Sequence, residues 1–377
     1  MHPVAILTAD NHLRDRAWIA RRNLAGDAYY SFRQITRLAI QWQTPVIAAG
    51  DLIDQRLNAS DVPAFLREVF DEMYEARAPF YYIQGQHELA DPPWLRAVHG
   101  WPTWLGEPGR MYEVADLRVL GFDWRHADQV DEIYQACQQE KPDLLVIHQV
   151  CRELLGQNLP HEFVLARVRG TGLVLVGDYH VHKRLKIRGP SGEVRVLSPG
   201  STAMQSIDED PNKYVFVLYE DGSIRSHQLR SRPVLRWQRF VDTEDALEEL
   251  LEALPGEIEA MRALAEEWQL PEEVRTPVVI VRHDASLDGA AKKIRSACGD
   301  VHLMLRAVWP KAEKDIPEAS AEGAGLLALE SCLPLALSPQ EDKEAFELAD
   351  RLLRAKNARE ALDEARGRYV VETSADG

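Results

Sequence analysis

The chain has 377 residues, of which 45% are hydrophobic and 28% charged, proportions typical of a soluble globular protein with more than one domain. A formal net charge of −16 excludes binding to nucleic acid through overall charge, although the acidic excess lies mostly after residue 232. No apolar stretch approaches the roughly 18 residues that span a bilayer, and the first residues carry no secretory signal. Four scattered cysteines without a CxxC pair indicate reduced thiols, so we expect a cytoplasmic protein with no membrane association.

Six short apolar runs in the first half of the chain are each followed by residues that bind metals or contact phosphate. The runs are 4–7, 45–48, 80–83, 117–120, 144–147 and 173–176. Bounded runs rich in Val and Ile predict strands that are buried on both faces. In layered α/β proteins the groups after the carboxyl ends of such strands converge on a ligand site. The repeated placement therefore predicts one shared site.

The polar residues after these runs predict a two-metal site. The candidate ligands are Asp10, His12, Asp51, Gln86, His148, His180 and His182. Carboxylates, amide oxygens and imidazoles can hold two divalent ions about 3.5–4 Å apart, with one carboxylate shared between them. Asp51 suits the shared position because Gly50 lets backbone approach the cluster. His87 is left without a metal and is a candidate proton donor to a leaving oxygen.

Each motif alone also has an ordinary structural explanation. Asp10 and His12 could form a turn with a surface histidine, Asp54 could cap the next helix, and His148 could be a core histidine. The occurrence of all the motifs in this order, each after a strand, is what favours the metal site.

Residues 1–232 alternate strand-like and helix-like segments, the pattern of a layered α/β domain. Helices are predicted at 29–41 and 63–77. The second has one apolar face, with Asp61 or Ser60 as its N-cap, and the residues of that face are Phe65, Leu66, Val69, Phe70 and Met73. Later strands at 193–197, 214–219 and 224–229 predict antiparallel pairing.

The rest of the chain predicts a small second domain and a tail. Residues 233–310 have a β-α-α-β-α-β pattern, with two helices between 242 and 268 and without a cluster of acids and histidines. Residues 311–323 are a polar linker. Residues 324–377 contain an apolar segment and an amphipathic helix, too small to be stable alone, so this tail should dock on its own protein or on a partner.

The order D-x-H, G-D-x-x-D, G-x-H-E, H and H-x-H resembles the calcineurin-like metallophosphoesterases over residues 1 to about 205. The segments 50–54, 147–153 and 198–202 look like those of the SbcD-type DNA exonucleases, including phage counterparts. The resemblance implies an α/β fold, a two-sheet metallophosphoesterase sandwich flanked by helices. It also implies a small α/β capping domain at 233–310 and a C-terminal helical segment that binds an SMC-like ATPase of the SbcC type.

The resemblance further implies a manganese-dependent nuclease with two Mn²⁺ ions, with Mg²⁺ as the alternative. One ion would be held by Asp10, His12, Asp51 and His182. The other would be held by Asp51, Gln86, His148 and His180. His87 would be catalytic, and Glu88 would either orient His87 or have a purely structural role.

Two departures from the family pattern bear on the second ion. Gln86 stands where the family usually has Asn, so one extra methylene must be accommodated, which predicts a displaced or more weakly bound ion. Two residues separate Gly177 from His180, where the family commonly has none. We assign His180 and His182 as the ligating pair because their H-x-H spacing is intact.

Basic residues beside the motifs suit a polyanionic substrate and predict DNA contacts, although a solvated face is the alternative. They are Arg14, Arg16, Arg21, Arg22, Lys183 and Arg184. The expected partners are DNA, an SbcC-like ATPase bound through 324–366, and a second copy of the chain bound through helix 63–77, whose apolar face could instead pack within the monomer. The location would be the host cytoplasm if a phage encodes the chain. The competing functions are a phosphatase or cyclic-nucleotide phosphodiesterase of the same superfamily, and a scaffold that binds DNA ends without cutting.

Overall fold

The computed structural model describes residues 2–14, 26–54, 61–155, 163–190 and 192–308. In these ranges, two six-stranded mixed sheets pack face to face, and helices cover their outer sides. This is a two-sheet sandwich flanked by helices, the architecture that the resemblance implied. A three-stranded sheet follows it in the chain.

The first sheet is built on three parallel strands that correspond to the first three apolar runs. In spatial order its strands are β12 (Ile224–Leu229), β11 (Lys213–Tyr219), β1 (Pro3–Thr8), β2 (Val46–Ala49), β3 (Phe80–Ile83) and β4 (Thr103–Trp104). Strands β1 to β4 are parallel, and β11 pairs antiparallel with both β1 and β12. The predicted antiparallel pairing of 214–219 with 224–229 is confirmed.

The second sheet contains the other three apolar runs as parallel neighbours. In spatial order its strands are β5 (Met111–Val114), β6 (Leu117–Phe122), β7 (Leu144–His148), β8 (Leu173–Gly177), β10 (Gly192–Ser198) and β9 (Lys183–Gly189). The predicted strand at 193–197 lies in this sheet, parallel to β8 and antiparallel to β9, and not beside 214–219. Strand β9 was not predicted because its alternating basic residues were interpreted only as a charge cluster. Its Leu185 and Ile187 pack on the outer core of the sheet.

Successive residues of the central strands point into different layers, as the period of a strand requires. Leu7 packs between the two sheets, whereas Ile6 packs under helices α1 (Asp27–Trp42) and α2 (Asp61–Glu75). On the second sheet, Val146 faces inward and Leu145 packs with helix α4 (Val130–Glu140). Both faces of these strands are buried, which explains why their runs are continuously apolar.

Helices α1 and α2 confirm the predictions at 29–41 and 63–77 with slightly different ends. The buried face of α2 consists of Val62, Leu66, Val69, Phe70 and Met73, which pack in the chain's own core. Phe65 is only partly buried and meets Tyr29 edge-on, with ring centroids 4.6 Å apart. The remaining short helices of the sandwich are α3 (Leu95–Val98) and α5 (Arg152–Leu155).

The third sheet has three parallel strands and its own apolar core. Its elements are β13 (Val234–Arg236), α6 (Glu244–Glu267), α7 (Glu272–Arg275), β14 (Val278–Asp284), α8 (Ala290–Cys298) and β15 (His302–Val308). A buried ion pair, 2.7 Å long, joins Arg232, two residues before β13, to Asp27 at the start of α1. The boundary at residue 232 stays a prediction, and the linker and tail lie outside the described residues.

The prediction of two helices between 242 and 268 was wrong, because α6 is a single helix that contains Pro255. An internal proline removes a backbone hydrogen bond and costs about 3 kcal/mol or more. The apolar face of α6 is buried in one core on both sides of Pro255, through Leu250 and Leu254 before the proline and Ile258 after it. Burial of that continuous apolar face outweighs the cost of the proline.

Candidate metal centre

The carboxyl ends of the central strands bring most of the predicted ligands together. Asp10 follows β1, Asp51 follows β2, and His148 ends β7. Ligand atoms of these three residues lie within 4.8 Å of one another, and so do those of Asp10, His12 and His180. We refer to Asp10, His12 and His180 as the Asp10 group, and to Asp51 and His148 as the Asp51 group.

In the Asp10 group, two imidazoles face each other beside a carboxylate. The Nε2 atoms of His12 and His180 are 3.0 Å apart, and Nε2 of His180 is 4.0 Å from Oδ1 of Asp10. Nδ1 of His180 donates to Oε1 of Glu209 at 2.9 Å, which leaves Nε2 available to a metal. A carboxylate behind a ligating histidine commonly fixes its tautomer and orientation. Glu209 also lies 2.9 Å from the buried Nζ of Lys213.

In the Asp51 group, one carboxylate oxygen faces three imidazoles. Oδ2 of Asp51 is 3.3 Å from Nε2 of His148, 3.9 Å from Nε2 of His12 and 3.8 Å from Nε2 of His87. Nδ1 of His148 donates to the carbonyl oxygen of Ala49 at 2.7 Å, so its Nε2 is available to a metal. This geometry suits Asp51 as the ligand shared by two ions.

Four buried atoms of the cluster have no hydrogen-bond partner among the described residues. They are Oδ2 of Asp10, Nδ1 of His12, Oδ2 of Asp51 and Nε2 of His148. An unpaired buried polar group costs about 1–3 kcal/mol, more if it is charged, so four of them in one place require an explanation. Divalent cations bind carboxylate oxygens and imidazole nitrogens together, and the residues therefore fit a metal centre.

The charges of the cluster favour a cation at its centre. Burial raises the pKa of Asp10 to about 6. Burial also opposes the charges of Asp51 and His148, but their attraction for each other dominates. It lowers the pKa of Asp51 to about 2 and raises that of His148 to about 10. The carboxylates thus hold a proton on His148, and a metal ion would replace that proton.

His87 lies at the edge of the cluster, where it is in position to donate a proton. Its Nδ1 is 3.1 Å from Oδ1 of Asp54, and its ring meets that of His12 edge-on with centroids 5.3 Å apart. The hydrogen bond to Asp54 raises the pKa of His87 above its ordinary value. Asp54, which sequence analysis considered as a helix cap, also pairs with the guanidinium of Arg14.

Glu88 holds backbone and does not contact the ring of His87 through any described hydrogen bond. Its carboxylate accepts from the backbone N–H groups of Leu52, Ile53 and Gly85 at 3.1, 2.9 and 3.3 Å. Burial raises the pKa of Glu88 to about 8. Of the two roles considered for Glu88, the contacts are those of the structural one.

The loops of the cluster pass closer together than side chains would allow. A Cβ atom on Gly50, where φ is +83°, would lie 2.5 Å from Nδ1 of His148. The close approach expected at Gly50 is therefore present. Four polar residues also have left-handed backbone: Asp10, His12, Asp51 and Asp178, with φ of 50°, 46°, 50° and 81°. Such conformations are costly outside glycine and concentrate at functional sites.

The loop after β8 differs from the sequence-based assignment. Nδ1 of His182 donates to the carbonyl of Pro199 at 3.0 Å, its Nε2 accepts from the hydroxyl of Ser226 at 2.8 Å, and its ring stacks on Phe216. Both nitrogens of His182 are thus occupied, and His182 belongs to neither metal-ligand group. His180, assigned to the second ion, lies instead in the Asp10 group.

Gln86 and Asp178 lie next to each other beside the Asp51 group. Nε2 of Gln86 donates to Oδ1 of Asp178 at 2.7 Å, and the same oxygen is 3.9 Å from Nε2 of His148. Asp178 was not among the predicted ligands, although its position directly after Gly177 was a signal. It also missed Glu209, which follows no strand and offered no signal.

Three of the six basic residues predicted to contact DNA are described. The guanidinium of Arg14 is engaged by Asp54 and by Oε1 of Gln205, and Nζ of Lys183 donates to the carbonyl of Leu154 at 3.3 Å. Arg184 is exposed and lies over the ring of Phe216. Arg16, Arg21 and Arg22 lie outside the described residues.

No protein-family model matches the chain. In an alignment of 234 positions that covers 56% of the chain, the chain is 28% identical to the DNA double-strand break repair protein Mre11 of Methanosarcina mazei. The match spans 35% of that relative, about a third of its length.

Two solved structures align with the chain at low similarity. TT1561 of Thermus thermophilus is 12% identical, and the alignment covers 61% of this chain and 100% of that one, with a TM-score of 0.40. Vps29 of Entamoeba histolytica complexed with zinc is 13% identical, with coverage of 60% and 97% and a TM-score of 0.27. In the described ranges, no helix has the length and apolar character needed to cross a membrane.

Proposed function

We infer that this chain, a homologue of Mre11 with the motifs and fold of SbcD-type metallophosphoesterases, is a DNA nuclease that uses two divalent cations. We propose Mn²⁺ as the metal, with Mg²⁺ as the alternative. The observation that carries the proposal is the convergence of Asp10, Asp51 and His148, with unpaired buried ligand atoms, at strand ends of two facing sheets. The similarity to a DNA double-strand break repair protein supports DNA as the substrate.

The residues divide into two overlapping ligand sets. Asp10, His12, Asp51 and His180 would hold one cation. Asp51, His148 and Gln86 would belong to the other. When bound, the two cations would offset the negative charge of a phosphodiester and lower the pKa of the attacking water. The carboxylate of Asp51 would fix the separation of the two positions.

His87 would protonate the oxygen that leaves phosphorus. Oδ1 of Asp54 lies 3.1 Å from Nδ1 of His87. This hydrogen bond raises the pKa of His87 and keeps the imidazole protonated closer to neutral pH. The other ring nitrogen is 3.8 Å from Oδ2 of Asp51 and is therefore beside the expected position of the phosphate. Arg184, exposed near the same strand ends, would contact the DNA backbone.

The test is digestion of linear double-stranded DNA with and without Mn²⁺. We expect digestion that requires the metal and falls by about 10²–10⁴-fold in His87→Ala. The matched control is His126→Ala, which removes an exposed histidine outside the cluster. This variant should retain the rate of DNA digestion. Hydrolysis of small phosphoesters alone would favour a phosphatase or cyclic-nucleotide phosphodiesterase. Metal binding without hydrolysis of any phosphoester would favour the scaffold.

We also propose an SbcC-like ATPase as a partner, bound through residues 324–366. Deletion of 324–377 should remove co-purification with such an ATPase and spare Mn²⁺-dependent digestion. Loss of both would assign the tail to the nuclease core. We also propose that the protein lies in the cytoplasm, or in the host cytoplasm if a phage encodes it.

A homodimer through the outer face of α2 is the remaining partner proposal. The buried face of that helix is used within the chain, but Tyr74 is 58% exposed and contacts Trp101 edge-on at 5.0 Å. Sedimentation should show a dimer that Tyr74→Glu converts to monomer. A monomeric parent protein would contradict this proposal.

A further inference from the structure

We propose that Asp178 is a ligand of the second cation, with Asp51, His148 and Gln86, and that this position selects a hard divalent cation such as Mn²⁺ or Mg²⁺ over Zn²⁺. The inference rests on the proposed function, since it concerns the same centre. It gives to Asp178 the ligand position that the sequence-based prediction gave to His180.

The strand register places residue 178 beside the metal-facing histidine. In the parallel pairing of β7 with β8, His148 lies opposite Gly177, so Asp178 is the first residue beyond the sheet at that point. The backbone N–H of Asp178 donates to Oδ1 of Asp10 at 3.0 Å, which fixes the loop against the cluster. Its left-handed φ of 81° is a property it shares with the ligands Asp10 and Asp51.

The side chain of Asp178 points toward ligand atoms that lack partners. Its Oδ1 is 3.9 Å from Nε2 of His148, a fully buried nitrogen that has no hydrogen bond to any described residue. Oδ2 of Asp51, also buried and without a hydrogen bond there, is 3.3 Å from the same nitrogen. One cation among these three atoms would satisfy all of them. The amide of Gln86, 2.7 Å from Asp178, needs only a rotation to present its oxygen to the same cation.

Neither histidine of the loop is placed to fill this position. His180 faces His12 and is held from behind by Glu209. His182 has both nitrogens hydrogen-bonded and its ring stacked on Phe216 at 4.3 Å. Asp178 is the residue of the loop that reaches His148.

The ligand atoms of the two positions differ in chemistry. The Asp10 group offers two imidazoles and two carboxylates, when Asp51 is included. The second position offers three oxygen ligands, from Asp51, Asp178 and Gln86, and one imidazole from His148. Carboxylate and amide oxygens suit Mg²⁺ and Mn²⁺, whereas imidazoles suit Zn²⁺. The second position should therefore discriminate more strongly against Zn²⁺ than the first.

The test measures metal binding to the full-length protein without DNA. Calorimetric titration with MnCl₂ should give two ions per chain, and their proximity should give a spin-coupled EPR spectrum. Asp178→Ala should weaken one ion by more than about tenfold and remove the coupling, while the other ion still binds. His182→Ala is the matched control in the same loop and should keep both ions. Asp178→His should restore two-ion binding and increase the affinity for ZnCl₂ at that position relative to MnCl₂.

Two coupled Mn²⁺ ions in Asp178→Ala, or loss of one ion in His182→Ala, would overturn the assignment. So would fewer than two ions in the parent protein. Retention of the first ion in Asp178→Ala shows that the variant is folded. Two bound ions without DNA digestion would overturn the proposed function but leave the ligand assignment intact, so the two failures are distinguishable.

Discussion

The sandwich and the third sheet both contain neighbouring parallel strands with covering helices, yet among the described residues the potential metal ligands gather in only one of them. Among the described residues, every group of potential metal ligands lies in the sandwich. The third sheet also has a carboxylate at a strand end, Asp284 of β14, but Oδ1 of this residue accepts from the backbone and hydroxyl of Ser286 at 2.7 and 2.6 Å. The carboxylate of Asp284 is therefore engaged by a residue of its own turn.

The difference shows that a polar strand end does not by itself create a site. In the sandwich, two sheets face each other, so the loop after β2 meets the end of β7 at Asp51 and His148. A single sheet has no opposing set of loops. The convergence of ligands is therefore a property of the paired sheets and not of the parallel strand as such.

We expect the strongest loss of metal binding and DNA digestion from Asp51→Ala, with Asp284→Ala as the matched control in the third sheet. Both substitutions remove a carboxylate at a strand end. Asp51→Ala should weaken both cations, because Asp51 is shared, and should reduce DNA digestion by more than the about 10²–10⁴-fold expected for His87→Ala. Asp284→Ala should leave the rate and the metal stoichiometry unchanged. Equal effects of the two variants on metal binding would contradict the conclusion that ligands converge only between the paired sheets.

A smaller effect is expected for Asp54→Asn, with Arg14→Ala as its control. Asp54 raises the pKa of His87, so the imidazole of the variant should lose its proton at lower pH. Because the proposed proton donor acts in its protonated form, the alkaline limb of the pH–rate profile should move to lower pH. Arg14→Ala leaves the contact between Asp54 and His87 in place and should move this limb less. An unchanged alkaline limb in Asp54→Asn would contradict the role of His87.

The next effect concerns the carboxylate behind His180. Glu209→Gln should reduce Mn²⁺ affinity by about 10–100-fold, because it weakens the hydrogen bond that orients the imidazole. High Mn²⁺ should restore most of the digestion rate. The control is Glu193→Gln, whose carboxylate pairs with Lys186 on the surface. An equal Mn²⁺ requirement in both variants would show that Glu209 has no such role.

The smallest expected effect is that of Gln86→Asn. Sequence analysis expected the longer side chain to displace or weaken the second ion, but the structure gives it a contact with Asp178 at 2.7 Å. A side chain one methylene shorter should reach this position less well and raise the Mn²⁺ requirement by less than about tenfold. A lower requirement would instead support the original expectation.

Local signals in the sequence predicted the layered α/β domain and most of the cluster, whereas the two-sheet arrangement was implied by the family resemblance. Continuous apolar runs identified strands buried on two faces, and the polar residues after them identified Asp10, His12, Asp51 and His148. The loop after β8 was harder, since Asp178 with His180 and His180 with His182 have the same spacing. The choice between them depends on Pro199, Ser226 and Phe216, which are distant in sequence.

Other features were hidden for comparable reasons. Pro255 is a local signal for a helix end, but the apolar core that keeps α6 continuous is formed by other elements. Glu209 acts on a histidine 29 residues earlier in the chain, and nothing in its neighbourhood indicates this contact. Local patterns thus predicted elements and ligands, whereas contacts across the fold decided the orientation of individual side chains.

The three backbone hydrogen bonds accepted by Glu88 have a consequence for how the centre assembles. They join the segment after β2, at Leu52 and Ile53, to the segment after β3, at Gly85. These hydrogen bonds hold the spacing of Asp51 from Gln86 and His87 without any bond to a metal. The centre is preorganised, and an incoming cation does not have to draw two loose segments together.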